Sequence, residues 1–216
     1  MSHRVRNAWL PVVALAGITA AAGAQSLAVR AVAAEIRHPL FGGLFGAALV
    51  ATVPLGSSSI ALEIAGERLV GNSSRFDVPC AGLIEPGTCR PEPLRDHGSS
   101  TAISIGLSAP AAPGRRVSFR AGGALALAFV ATDTRGLVTG AQLSARKTLW
   151  RADVEGEWTW HPWSGKPLAL LGGAAAGWQA PFRHEEVADG YTPLNQGAAV
   201  VRLWLGVSWR KVRRRS

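Results

Sequence analysis

The chain alternates along much of its length. In Ser59–Val70 the apolar Ile60, Leu62 and Ile64 interleave with Ala61, Glu63, Ala65 and Glu67, the two-residue period of a strand. Leu149–Trp160 repeats this more strongly: Trp150, Val154, Trp158 and Trp160 share one parity, and Arg151, Asp153, Glu155, Glu157 and Thr159 share the other. Ala198–Trp209 sets Val201, Leu203, Leu205, Val207 and Trp209 against Arg202, Gly206 and Ser208, with Val200 and Trp204 as exceptions on the polar parity. Val117–Ala131 sets Val117, Phe119, Leu125, Leu127 and Phe129 against Ser118, Arg120, Gly122, Ala124, Ala126 and Ala128. Weaker alternation covers Leu27–Ile36, Gly43–Val53, Thr101–Ser108 and Pro167–Trp178, the last rich in Gly and Ala on both faces and locally compatible with a helix. The pattern predicts eight strands.

The connections add a second signal. Pro54–Ser57, Pro110–Arg116 and His161–Lys166 are compact turns punctuated by Pro and Gly. Gly71–Ser99, Thr132–Lys147 and Gln179–Gln196 are longer, and only Arg37–Gly42 is short among the alternate connections. Tight turns at one end and long loops at the other characterise a membrane-spanning barrel, and an even strand count puts both chain ends on the same side. Strands of about 10 residues, tilted near 40°, span an apolar band of about 25 Å.

Alternation alone leaves the direction of the apolar face open, because a soluble lipocalin-like barrel has the same period with that face inward. Three features favour lipid outside. Aromatics sit at strand ends on the apolar parity, Phe119, Trp158, Trp160 and Trp209 toward the turns and Phe129, Trp150 and Trp178 toward the loops, as two interfacial girdles would require. The other face is mostly Gly, Ala and Ser with charges, as a narrow interior demands. Those charges also balance closely: Arg30, Arg120, Arg151 and Arg202 against Glu63, Glu67, Asp153, Glu155 and Glu157, a lumen ion-pair network.

Composition narrows the picture further. Hydrophobic residues make up 48% of the 216, charged residues only 17%, and eight Trp stand against one Tyr. The low charged fraction argues against disorder, and the length fits one domain. No apolar run reaches the roughly 18 residues of a spanning helix. Residues 1–24 read as a secretory signal: Arg4 and Arg6, an apolar Leu10–Ala21, then Ala22-Gly23-Ala24 before a cut between Ala24 and Gln25. The formal charge of +9 is concentrated at the two ends, in Arg4, Arg6 and the tail residues Arg210, Lys211, Arg213, Arg214 and Arg215. The body is near neutral, which removes the nucleic-acid reading. Export also frames Cys80 and Cys89, the only pair, as a local disulfide.

With turns, girdles and closing strand in view, residues 26–210 resemble the small bacterial outer-membrane β-barrels of the OmpA/OmpX-like kind. Leu203–Trp209 is similar to that family's terminal strand, whose final aromatic is read by the insertion machinery; here Arg210–Ser216 follows it. The resemblance implies an all-β, eight-stranded antiparallel up-and-down transmembrane barrel over residues 25–210, with a basic tail at 211–216. It also implies a monomer in the outer membrane of a diderm bacterium, surrounded by outer-membrane lipid, with no cofactor and a structural or surface-interaction role.

Catalytic signals are sparse. His97-Gly98-Ser99 looks like the His-x-Ser spacing of barrel lipid A deacylases, but that chemistry needs an orienting acid, and Asp96 is adjacent in sequence and so directed elsewhere. Glu155 and Glu157 share a strand face, and with Arg and Asp interleaved they read as ion-pair partners, not glycosidase carboxylates. Gly122-Gly123 and Gly172-Gly173 fall within strands, where close packing or curvature explains them. There is no zinc-type spacing and no internal repeat. The expectation is a non-enzymatic barrel, with a lipid hydrolase and a narrow channel or small-ligand carrier as alternatives.

Overall fold

The computed structural model describes residues 26–38, 41–56, 58–77, 92–112, 116–138, 140, 142–163, 166–181 and 197–210. Ala24, Gln25, Cys80, Cys89 and the tail from 211 to 216 lie outside the described residues.

Eight antiparallel strands close into one barrel in simple sequential order. They are β1 (Ser26–His38), β2 (Phe41–Pro54), β3 (Ala61–Asp77), β4 (Glu92–Ala112), β5 (Val117–Gly136), β6 (Gln142–Trp160), β7 (Leu168–Pro181) and β8 (Ala198–Arg210). β8 closes on β1 with Ser26 opposite Arg210, so both ends of the described chain lie on the side of the three tight turns. Closure pairs every strand on both sides around the barrel, while the loop-side extensions of β3 beyond Val70 and of β6 before Leu149 pair only with β4 and β5 respectively. The turn after β2 is fastened by Leu55 N–H to Ile60 O at 3.0 Å and by the Ser58 hydroxyl, which donates to Leu55 O at 2.5 Å. The Gly/Ala-rich segment that was locally compatible with a helix is the strand β7: no Cβ branching is needed where neighbours on both sides supply the ladder bonds.

The strands exceed the ten-residue expectation. β4, β5 and β6 hold 21, 20 and 19 residues, whereas β1 and β8 hold 13. The excess lies on the side away from the tight turns, and it corrects two connections. Thr132–Lys147 is not a long loop: β5 continues to Gly136 and β6 resumes at Gln142. The stretch Gly71–Ser99 is likewise mostly strand, leaving 78–91 between β3 and β4. Above the apolar band the outward positions turn polar, so the hydrophobic alternation fades while the backbone ladder continues. Thr132 and Thr134 still point inward and are buried.

Parity assigns the faces without ambiguity. Val29, Phe45, Leu49, Ile105, Leu107, Leu125, Val154, Leu203 and Leu205 point outward and are exposed, while Arg30, Glu63, Glu67, Arg151, Asp153 and Arg202 are buried inside. An inverted distribution of this kind is foreign to a barrel dissolved in water and suits one with an apolar solvent around it.

Candidate functional site

The lumen is the most developed chemical feature. Each strand sends alternate side chains inward, so eight strands place charges from β1, β3, β5, β6 and β8 within reach across a bore only wide enough for side chains. They fall into two connected groups. Nearer the tight turns, Arg30 pairs with Glu157 at 2.6 Å and with Glu63 at 3.6 Å, and Arg120 approaches Glu63 at 3.6 Å. Ser108 links the last two: its hydroxyl donates to Glu63 Oε1 and accepts from Arg120 Nη2 at 2.6 Å. Deeper toward the loops, Arg151 and Arg202 share the same two acids. Arg151 reaches Asp153 at 2.9 Å and Glu67 at 3.2 Å, and Arg202 reaches Glu67 at 2.9 Å and Asp153 at 2.7 Å. Two Arg forks across two carboxylates form a closed ring of charge-assisted hydrogen bonds, the arrangement that makes buried ions tolerable.

Apolar side chains cap this region. Leu44, Leu69, Val130, Leu149 and Val200 are buried above it on the loop side, and Leu171 is buried below. Glu155 stands apart from the ring. It lines a small cavity with Arg30, Glu63, Glu67, Arg202 and Trp204 and makes no direct ion pair among the described residues.

Two interior residues were not visible as such from sequence. Trp204, an exception on a polar parity, is 4% exposed inside the lumen. Its Nε1 donates to Glu157 Oε2 at 3.1 Å, and the Arg30 guanidinium stacks 4.8 Å from its ring centroid. A lone Trp amid Arg, Gly and Ser was the available signal. Gly173 makes the space: a Cβ there would stand 2.5 Å from the Trp204 ring, while on the outer face a Cβ at Gly172 would stand 2.6 Å from Trp158. The adjacent glycines therefore seat one indole on each side of the wall. The second is Asp96, buried on β4, which accepts from the Thr134 hydroxyl at 2.6 Å.

The seven aromatics singled out from sequence all face outward. Phe119, Trp150, Trp160, Trp178 and Trp209 are exposed, while Phe129 and Trp158 are partly covered. By register Phe119, Trp158, Trp160 and Trp209 lie toward the tight turns and Phe129, Trp150 and Trp178 toward the loops. Phe45, which sequence parity left unassigned, joins the loop-side set at 63% exposure.

His97 and Ser99 are strand residues of β4, not loop residues, and share its outward face. His97 Nδ1 lies 2.6 Å from Asn72 Oδ1 on β3, and the residue opposite on β5, Asp133, accepts instead from Ser144 at 2.6 Å. Among the described residues no hydrogen bond connects His97 to Ser99, so the elements of a relay are near one another without being joined.

No protein-family model matches the sequence, and no curated protein does either. Solved structures do. The barrel is similar to neisserial surface protein A, at 13% identity and a TM-score of 0.54, over 86% of this chain and 96% of that one. A major outer-membrane protein from Thermus thermophilus gives 12% identity and a TM-score of 0.54, over 86% and 98%. The chain has the fold of the small eight-stranded outer-membrane barrels. Ail, the attachment invasion locus protein of Yersinia pestis, solved with the heparin analogue sucrose octasulfate, shares it at 10% identity and a TM-score of 0.50, over 86% and 97%. Identities this low carry the architecture and nothing finer.

Proposed function

We propose that this chain is an outer-membrane barrel of structural or surface-interaction type whose lumen is closed by its own ion pairs. The observation that carries the reading is the pairing of faces: an exposed apolar wall bounded by aromatics outside, and a buried, charge-paired and apolar-capped interior. Lipid supplies the apolar solvent the wall needs, and a filled eight-stranded bore leaves no water column. Enzymatic use of His97 and Ser99 is disfavoured by the missing bond between base and hydroxyl. An apolar-ligand carrier is disfavoured by the charged lining of the cavity.

The test is twofold. The folded protein is expected in the outer-membrane fraction, with different gel mobility before and after boiling, and in planar bilayers it should show no stable porin-like conductance. Recovery as a soluble protein without detergent would overturn the membrane reading. Large steady currents would overturn the closed lumen.

A further inference from the structure

The outward face of β3–β6 carries a second organised feature, on the loop side of the aromatic girdle. The register lays it out as four successive cross-strand rows. The first row is Arg68, Thr101, Phe129 and Thr148; the second is Val70, Ser99, Ala131 and Arg146. The third is Asn72, His97, Asp133 and Ser144, and in the fourth Arg95 stands directly opposite Arg135, with Gln142 beyond. Arg68, Arg95, Arg135 and Arg146 are all exposed, and Arg68 Nη1 donates to Thr101 Oγ1 at 2.6 Å, which lays its guanidinium along the girdle.

Among the described residues these four arginines form no ion pair. The one acid on this outward face whose side chain is described, Asp133, is occupied by Ser144. Like charges directly opposite on neighbouring strands are destabilising, so the Arg95–Arg135 juxtaposition is one that a bound anion would stabilise. On the other half of the barrel, the described outward side chains at the same end include Phe45, Trp178, Val201 and the acidic Glu35, with no arginine. Among the described side chains the feature coincides with the strands that rise highest.

We propose that this face is a lateral binding site for a phosphorylated glycolipid of the surrounding leaflet. The proposal rests on the membrane reading above. Arginine forks match phosphate oxygens bidentately, and the lowest row is continuous with the apolar wall at Phe129, Leu127 and Val70. A ligand that satisfies both parts has acyl chains as well as phosphate; a soluble polyanion would leave the apolar part unused. Size separates the lipid classes. From Thr101 to Arg95 the β4 strand rises about 20 Å, or about 15 Å after tilt, whereas the headgroup layer of an ordinary phospholipid leaflet is about 5–8 Å deep. A ladder of arginines that long fits a phosphorylated saccharide headgroup.

The experiment uses the mature barrel in nanodiscs whose insertion has first been verified by heat-shifted mobility; failure at that step would remove the membrane reading itself. Retained lipid is then counted by native mass spectrometry in discs doped with bis-phosphorylated lipid A, the same glycolipid with its phosphates removed, or phosphatidylglycerol. The phosphorylated glycolipid is expected to be retained at least about tenfold over the other two. R95Q/R135Q should abolish most of that preference, and R146Q part of it. R116Q/K166Q, at the opposite end, should leave it intact. Equal retention of the dephosphorylated glycolipid or of phosphatidylglycerol would overturn the proposal, as would an unchanged preference in R95Q/R135Q. Binding of inositol hexakisphosphate by the inserted barrel that competes the glycolipid away would overturn it in favour of a soluble polyanion site.

Discussion

Replacing Arg202 with leucine separates the interior account from a barrel held together by its ladder alone. Arg202 gives one guanidinium nitrogen to Glu67 at 2.9 Å and another to Asp153 at 2.7 Å, all three side chains being nearly buried. Removing one partner of a buried pair costs about 3–5 kcal/mol, because the remaining charge stays desolvated. Here both acids keep Arg151, at 3.2 and 2.9 Å, so the loss should sit at the low end, about 3 kcal/mol. That is roughly a hundredfold in the folding equilibrium. At an m-value of ~1–3 kcal/mol/M it moves the urea midpoint down by about 1 M or more. The assay is reversible urea unfolding in lipid vesicles, followed by Trp emission and by heat-shifted mobility. Leu203→Ala is the control: Leu203 is adjacent in sequence, faces outward at 57% exposure, and can be replaced in its contacts by acyl chains, so it should cost ~1 kcal/mol or less. Adding Glu67→Gln to Arg202→Leu removes one stranded charge and should return part of the loss. An Arg202→Leu barrel as stable as the parent, or a Leu203→Ala barrel equally damaged, would refute the argument.

Other expectations follow from single features. Gly173→Val should collide with the Gly156 carbonyl oxygen as well as the Trp204 indole, lowering stability by about 1–3 kcal/mol, and pushing the indole off Glu157 and Arg30 should alter the near-ultraviolet dichroism of the tryptophans; an unchanged spectrum would count against the seating of Trp204. In the turn after β6, burial and then the nearby Arg210 charge hold the His161 imidazole below its usual range. Its neutral form is therefore the favoured one in the folded chain, so as pH falls below about 6.5 the unfolded chain takes up a proton first and this site loses stability. NMR titration should place His161 low and find it partly restored in Arg210→Gln, and no movement in that variant would exclude the charge effect. For Cys80 and Cys89, intact mass under non-reducing conditions is expected two hydrogens below the dithiol, with reduction costing at most about 2–3 kcal/mol; ready alkylation of both thiols in the native protein would contradict the bond.

The alternation along the chain was enough to indicate eight strands; the short and long connections added an up-and-down order, and the aromatic and charged positions indicated which parity of each strand faces out. A period of two is local, and an apolar wall against a charged interior leaves its mark on every strand separately. Its reach ended where the hydrophobic signal ended. Strands β3–β6 run beyond the apolar band into rows such as Asn72, His97, Asp133 and Ser144, which are polar outside and read as loop, because there only backbone bonds to a neighbouring strand hold them extended. Pairing was also out of reach. Arg202 and Glu67 are 135 residues apart, and nothing local decides that they meet, while Arg30 takes Glu157 and Glu155 is left beside a cavity. Trp204 shows the same limit: its parity was legible, but that it fills the bore depends on a glycine one strand away. The arginines at 68, 95, 135 and 146 are scattered in sequence over one predicted strand and two connections, and the register alone gathers them on one flank. Contacts of this kind are fixed by which residues the barrel brings opposite one another, a property of the ladder as a whole and of no single segment.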